Sequence, residues 1–187
     1  MSAFAIALLA VVVLGALVLA GRSYAKMRGT RLVTCPENKE TAAVEVNATR
    51  AAALSLLGQH AVRLKDCSRW PEKENCGQEC LRQIEAAPED CLVRTILTLW
   101  YSDKSCAVCG RELGQVDWIQ RRPALLAPDG TTVDWQHLVP EKIPETLSTH
   151  RAVCFDCHVS ESFRRKYPDL VIDRRRPGDG SGLETKH

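Results

Sequence analysis

Apolar and polar positions divide this chain into regions of different character. Ala3 to Ala20, "AFAIALLAVVVLGALVLA", is unbroken by any polar side chain. At ~1.5 Å per residue such a run is just long enough to cross a hydrocarbon core of ~30 Å. "GRSYAKMRGTR" then reads as a short polar linker. In "RLVTCPENKETAAVEV" apolar and β-forming residues flank a Pro-Glu-Asn-Lys turn, which predicts strand, turn, strand. "ATRAAALSLLGQHA" has helical composition, with Leu54, Leu57 and Ala61 on one face and Gly58 near its end. His60 follows that helix and reads as exposed.

"VRLKDCSRWPEKENCGQEC" is turn-rich, with Pro71 marking a loop. "CGQECLRQIEAA" predicts a helix that Pro88 ends, and "PEDCLVRTILTLWYSD" predicts a new one starting there. Pro88 suits a first helical turn, and Glu89 and Asp90 suit the positive end of the helix dipole. Leu92, Ile96, Leu99 and Trp100 form its expected buried stripe. Further on, "KSCAVCGRELG" reads as a knuckle and glycine turn. "QVDWIQRRPALLAPDGTTVDWQHL" reads as strands around a Pro-Asp-Gly turn, and "VPEKIPETLSTHRAV" as a proline-punctuated loop or short helix. "CHVSESFRRKYP" predicts a helix ending before Pro168, and "DRRRPGDGSGLETKH" a disordered tail.

These patterns predict an α+β protein: one N-terminal transmembrane helix, then a small cysteine-rich, metal-stabilised domain. The expected segments are an anchor at 1–21, a basic linker at 22–31, a cysteine-containing α+β region at 32–103, a zinc-binding unit at 104–168 and a tail at 169–187.

Charge sets the expected orientation. Arg22, Lys26, Arg28 and Arg31 all follow the apolar run, and the positive-inside rule keeps that side in the cytoplasm. The competing reading is a cleaved signal peptide. That needs positive charge ahead of the run, where "MSAF" supplies none beyond the amino terminus, although "LVLAG" offers a cut after Ala20. A single-pass cell-membrane protein with a cytoplasmic C-terminal domain is therefore expected. The net charge of +2 is too small to mark a nucleic-acid partner, and "DRRR" at Asp173 to Arg176 reads as a solvated tail.

Nine cysteines stand at 35, 67, 76, 80, 91, 106, 109, 154 and 157. In a reducing compartment they point to metal, and in an oxidising one to disulfides. Cys106-x-x-Cys109 and Cys154-x-x-Cys157 each supply two adjacent corners of a tetrahedral thiolate site, and Gly110 gives the knuckle its tight turn. Knuckle, hairpin, then a second pair opening a helix is the order of a treble-clef zinc finger.

Cys106, Cys109, His137, Cys154, Cys157 and His158 together resemble the zinc-braced HNH nucleases over about residues 104 to 167. In that family one histidine activates water and the last helps hold a catalytic divalent ion. "VDWQHLVP" resembles the family's Asp-His-Ile-x-Pro stretch, but Trp135 and Gln136 separate Asp134 from His137, and no Asn occurs between His137 and Cys154. The resemblance implies a treble-clef relative without nuclease activity, with an HNH-like metal-dependent nuclease as an alternative.

"CFDCH" also fits the attachment signature of haem c, with Cys154 and Cys157 as thioether cysteines and His158 as axial ligand. That reading makes the protein an exported electron carrier, against the expected orientation, and strands Cys106 and Cys109.

Cys35, Cys67, Cys76 and Cys80 form a second candidate metal set. A helix would place Cys76 and Cys80 on one face. Zinc, an iron–sulfur cluster, disulfides and free buried thiols remain open for this group. Cys91 is left over and reads as a small core residue. Trp70, Trp118 and Trp135 read as core rather than as a stacking surface.

No Gly-rich phosphate loop, nucleophile elbow or His-Glu-x-x-His occurs. The expected cofactors are one or two Zn2+ ions, and no catalytic residue is assigned. The expected role is a membrane-anchored interaction or assembly module. Its partners would be the bilayer and another membrane protein or complex, with no nucleic acid.

Overall fold

A computed structural model describes residues 3–59, 61–70, 72–73 and 75–170. The expectations for His60, for Pro71 and for the tail beyond Leu170 fall outside them. Helix α1 (Ala3–Met27) is long and apolar enough to cross a membrane, with a mean hydropathy of 3.0 over its most apolar window. A signal sequence has the same length and composition. The helix absorbs most of the expected linker, because nothing between Gly21 and Met27 breaks it, and β1 (Thr30–Thr34) begins three residues after it ends.

β1, β2 (Thr41–Val46) and β3 (Leu64–Cys67) form one antiparallel sheet in that order. The first two strands and their turn are as expected. β3 was hidden in the turn-rich stretch, because only four residues pair. Helix α2 (Ala48–Ser55) follows β2 and is capped by Asn47, whose side chain accepts the Arg50 amide. Its buried face is Ala48, Ala51 and Ala52, whereas Leu57 is 72% exposed, so the expected leucine face is not the packed one. α2 packs on α1, and the Ser23 hydroxyl donates to the Ala51 carbonyl at 3.5 Å.

Helix α3 is short (Leu81–Ala86) and α4 covers Val93–Ser102. Both start later than expected. Cys76 to Cys80 is turn, so Cys76 and Cys80 do not share a helix face. α4 starts beyond Cys91 and buries Val93, Leu97 and Tyr101, one position on from the expected stripe, leaving Leu99 65% exposed.

The second sheet has the order β5-β4-β6, from β4 (Ala124–Leu126), β5 (Thr132–Val133) and β6 (Arg151–Val153). β4 and β5 flank the expected Pro-Asp-Gly turn, with Gly130 in the left-handed region at φ 83°. Helix α5 (Ile143–Thr149) precedes β6, and α6 (Phe155–Lys166) follows it and ends before Pro168 as expected.

Sheet one is buried on both faces. Val33, Ala42 and Val44, with Cys67 beside Val44 in the same sheet, pack with Ile84 and Cys80. Leu32 and Ala43 face α4, Leu125, Ile143 and Ala152. Trp118 and Trp135 pack against this second core in an edge-to-face pair 5.5 Å apart, and Trp70 packs against the first.

Arg31 is fully buried beside the end of α1. Its guanidinium donates to the carbonyls of Lys26 (2.6 Å), Met27 (2.7 Å), Gly29 (3.0 Å) and Pro88 (3.2 Å). Helix ends leave carbonyls without intrahelical partners. A fork of five N–H donors satisfies several of them at once, which ties α1 to the domain.

Candidate metal centre

The knuckle is built by main-chain bonds. The Cys106 amide donates to the Arg111 carbonyl (2.8 Å), the Gly110 amide to the Cys106 carbonyl (2.9 Å) and the Leu113 amide to the Lys104 carbonyl (3.0 Å). Gly110 closes the turn at φ 74°, where a β-carbon is disfavoured. The Ala107 amide donates to the Ala152 carbonyl at 2.8 Å, which holds the knuckle against β6. β6 leads directly into Cys154, the N-cap residue of α6, and places Cys157 in that helix's first turn. An Arg111–Asp156 ion pair at 2.9 Å also joins knuckle to helix, but both partners are exposed and it adds little.

These elements bring Cys106, Cys109, Cys154 and Cys157 together, all four sulfurs lying within 4.8 Å of one another. The Cys109 and Cys154 sulfurs are 3.8 Å apart. A tetrahedron of thiolates at ~2.3 Å from zinc has edges of about 3.8 Å, so the donor set fits a metal ion in size and chemistry. Cys106 and Cys154 are buried with Leu126 and Val153, while Cys109 is exposed.

The electrostatics call for a cation. Burial opposes charge on Cys106, but the amides of Cys154, Cys109 and Val108 and the Cys109 thiol hold its thiol down to about 6. Burial, followed by the three neighbouring sulfurs, pushes the Cys157 thiol far upward, and burial also raises Cys154. One thiolate is favoured and the next is resisted, because like charges repel in a partly desolvated site. A bound divalent cation removes that conflict, and the N-terminus of α6 adds a favourable field.

His158 is not in the sulfur group. Its Nδ1 is buried without a hydrogen-bond partner. Burial lowers its affinity for a proton, Asp134 opposes this, and Arg165 and His137 reinforce it. Asp134, His137 and His158 thus share one neighbourhood, yet they form no compact ligand group.

Cys35, Cys67, Cys76 and Cys80 surround a separate cavity of about 170 Å³ that Arg69 and Trp70 also line. Their sulfurs are not drawn into a compact group like that of Cys106, Cys109, Cys154 and Cys157. Burial resists ionisation of Cys35, and the amides of Glu37 and Asn38 with the Arg69 guanidinium outweigh it. Burial, then Cys67, Cys76 and Cys35, raise the Cys80 thiol to about 11. Cys91 stands apart and directs its thiol at the Ala87 and Pro88 carbonyls, at 3.4 and 3.7 Å. None of the nine cysteines is in a disulfide.

Sequence reasoning missed Arg69, whose guanidinium donates to Cys35 Sγ at 3.0 Å. The two lie 34 residues apart, with no local pattern to pair them. It also missed the Ala107–Ala152 bond, which involves only main chain. Compared with family models, curated proteins and solved structures, the chain matches none.

Proposed function

We propose that this chain is a membrane-anchored assembly module whose C-terminal unit is a treble-clef-like fold braced by structural zinc. The observation that carries the reading is the close grouping of four cysteine sulfurs where the knuckle meets α6. Four protein thiolates saturate a tetrahedral ion and leave no open position for substrate, which is the mark of a structural rather than a catalytic zinc. The same grouping argues against haem, whose attachment would take Cys154 and Cys157 away from Cys106 and Cys109. α1 supplies the anchor, and Arg22, Lys26 and Arg28 favour a cytoplasmic domain. The partner on this reading is another membrane protein or complex.

Full-length protein purified in detergent tests the zinc. Cys106→Ser and Cys157→Ala each lower zinc by about one ion per chain, whereas His158→Ala leaves it unchanged. A Soret band in the wild type, lost in His158→Ala, would replace this reading with the haem carrier. A C-terminal alkaline phosphatase fusion is expected to be inactive; an active one reverses the orientation.

A second reading, an HNH-like nuclease, draws on the unpartnered Nδ1 of His158 beside Asp134 and His137. Divalent-dependent DNA cleavage by the wild type, abolished in both His137→Ala and His158→Ala, would select it.

A further inference from the structure

Cys35, Cys67, Cys76 and Cys80 reach their common cavity from three separated stretches: the turn after β1, the end of β3 and the turn before α3. Three of the four sulfurs accept main-chain N–H groups from other residues, and Cys80 accepts its own. Glu37 and Asn38 donate to Cys35, Arg69 donates to Cys67, and Gln78 donates to Cys76 at 3.4 Å. Each set includes the residue two positions beyond its cysteine. The Cys106 knuckle has the same arrangement, with the Val108 amide on Cys106 Sγ. A neutral thiol is a weak acceptor, so amides aimed at sulfur favour the thiolate.

The backbone is strained at the same places. Lys39 (φ 61°) and Gln78 (φ 56°) are the only non-glycine residues with positive φ among the described residues. One closes the turn after Cys35 and the other the turn after Cys76. Such conformations are costly and persist where the surroundings impose them.

Cys91 lies apart from these four cysteines: its sulfur is directed at the Ala87 and Pro88 carbonyls and also meets the Arg31 guanidinium.

We infer that Cys35, Cys67, Cys76 and Cys80 form a second four-thiolate zinc site, separate from the Cys106 centre. Binding releases the thiol protons to solvent. Four thiolates on a divalent ion leave a net negative charge, which the Arg69 guanidinium on Cys35 Sγ partly offsets. The four sulfurs are not yet a compact group, so binding has to draw them together onto the ion. Cys76 lies in a turn outside any helix or strand, so its sulfur can move inward without breaking regular structure.

The test is zinc per chain in full-length protein purified in detergent under reducing conditions. The wild type is expected to hold about two ions, Cys35→Ser and Cys76→Ser about one each, and Cys76→Ser combined with Cys106→Ser none. The site stands independently of the first centre, because loss of one ion in Cys76→Ser supports it whatever Cys106→Ser does. Unchanged zinc in Cys76→Ser overturns it.

Alkylation of the unmutated protein removes any ambiguity from misfolded variants. The four thiols should resist iodoacetamide until a chelator is added, and resistance that the chelator abolishes supports the site. Modification without chelator, a disulfide within the ring, or iron and sulfide in place of zinc overturns it.

Discussion

Replacing Arg31 by methionine should be among the most damaging single changes outside the thiolate centres. Methionine keeps length and apolar bulk but removes every donor. Four carbonyls, those of Lys26, Met27, Gly29 and Pro88, then lose their partner at a partly buried site. An unsatisfied buried polar group costs ~1–3 kcal/mol. Summing four such costs overshoots, because the variant no longer has to bury a guanidinium, and burial already works against charge at this position. Hydrogen bonds to a charged group are worth ~1.5–3 kcal/mol, and since water can reach part of this site that is the expected loss for Arg31→Met. Arg31→Lys should fall between the variant and the wild type, since three donors cannot serve four carbonyls in fork geometry. The assay is guanidinium unfolding of metal-loaded, full-length protein in detergent, followed by tryptophan fluorescence, with the slope checked for constancy. Trp118 and Trp135 report it well because both pack on the core that Leu32, next in the chain, helps form. A loss below ~1 kcal/mol would refute the claim that this side chain secures the junction between α1 and the domain.

Two further outcomes concern the core. Tyr101 is fully buried and its hydroxyl has no partner, so Tyr101→Phe should raise stability by ~1 kcal/mol in the same titration; destabilisation of that size would mean the hydroxyl is satisfied. Leu97→Ala should cost ~2–5 kcal/mol and Leu99→Ala less than ~0.5 kcal/mol, and a reversed order would restore the stripe expected from periodicity.

The legible parts of the fold were those with a strong local signal. The α1 run, the β1–β2 hairpin, the Pro-Asp-Gly turn and α6 each have a complete pattern within a dozen or so residues. Helix starts were less legible. Pro88, Glu89 and Asp90 suit a first turn, yet the chain delays α4 to Val93, where the Leu32 amide bonds the Cys91 carbonyl at 2.8 Å and pairs this stretch with β1. With the helix starting there, Leu97 is buried and Leu99 is exposed. β6 was missed because three residues carry no periodicity, and only its pairing with β4 makes it a strand. The grouping of Cys106, Cys109, Cys154 and Cys157 was legible from spacing, because each Cys-x-x-Cys is local and offers half of a four-thiol set. Cys35, Cys67, Cys76 and Cys80 line one cavity, but the local form of that stretch was not legible. Cys76 and Cys80 fit a helix by spacing, yet the chain bends between them, with Gln78 drawn into positive φ while its side chain accepts the Leu64 amide.

The packing of α2 on α1 bears on how much helix a bilayer can cover. Asn47 to Thr49 lie beside Tyr24 to Gly29, and Ala51 lies beside Ser23, so α2 runs back along α1 toward the apolar run. Ala16 and Ala20, on the same face as Ser23, are already half-covered. The stretch of α1 clear of that sheath, Ala3 to Gly15, measures only about 20 Å at ~1.5 Å per residue, against a hydrocarbon thickness of ~30 Å. Thinning the bilayer to match would carry a mismatch cost. A bilayer that takes up the whole apolar run instead meets the end of α2, where Leu56 (49% exposed) and Leu57 (72%) lie open. On the membrane-anchored reading proposed above, the hydrophobic boundary would belong to a helical pair, extended by two leucines distant in sequence from α1.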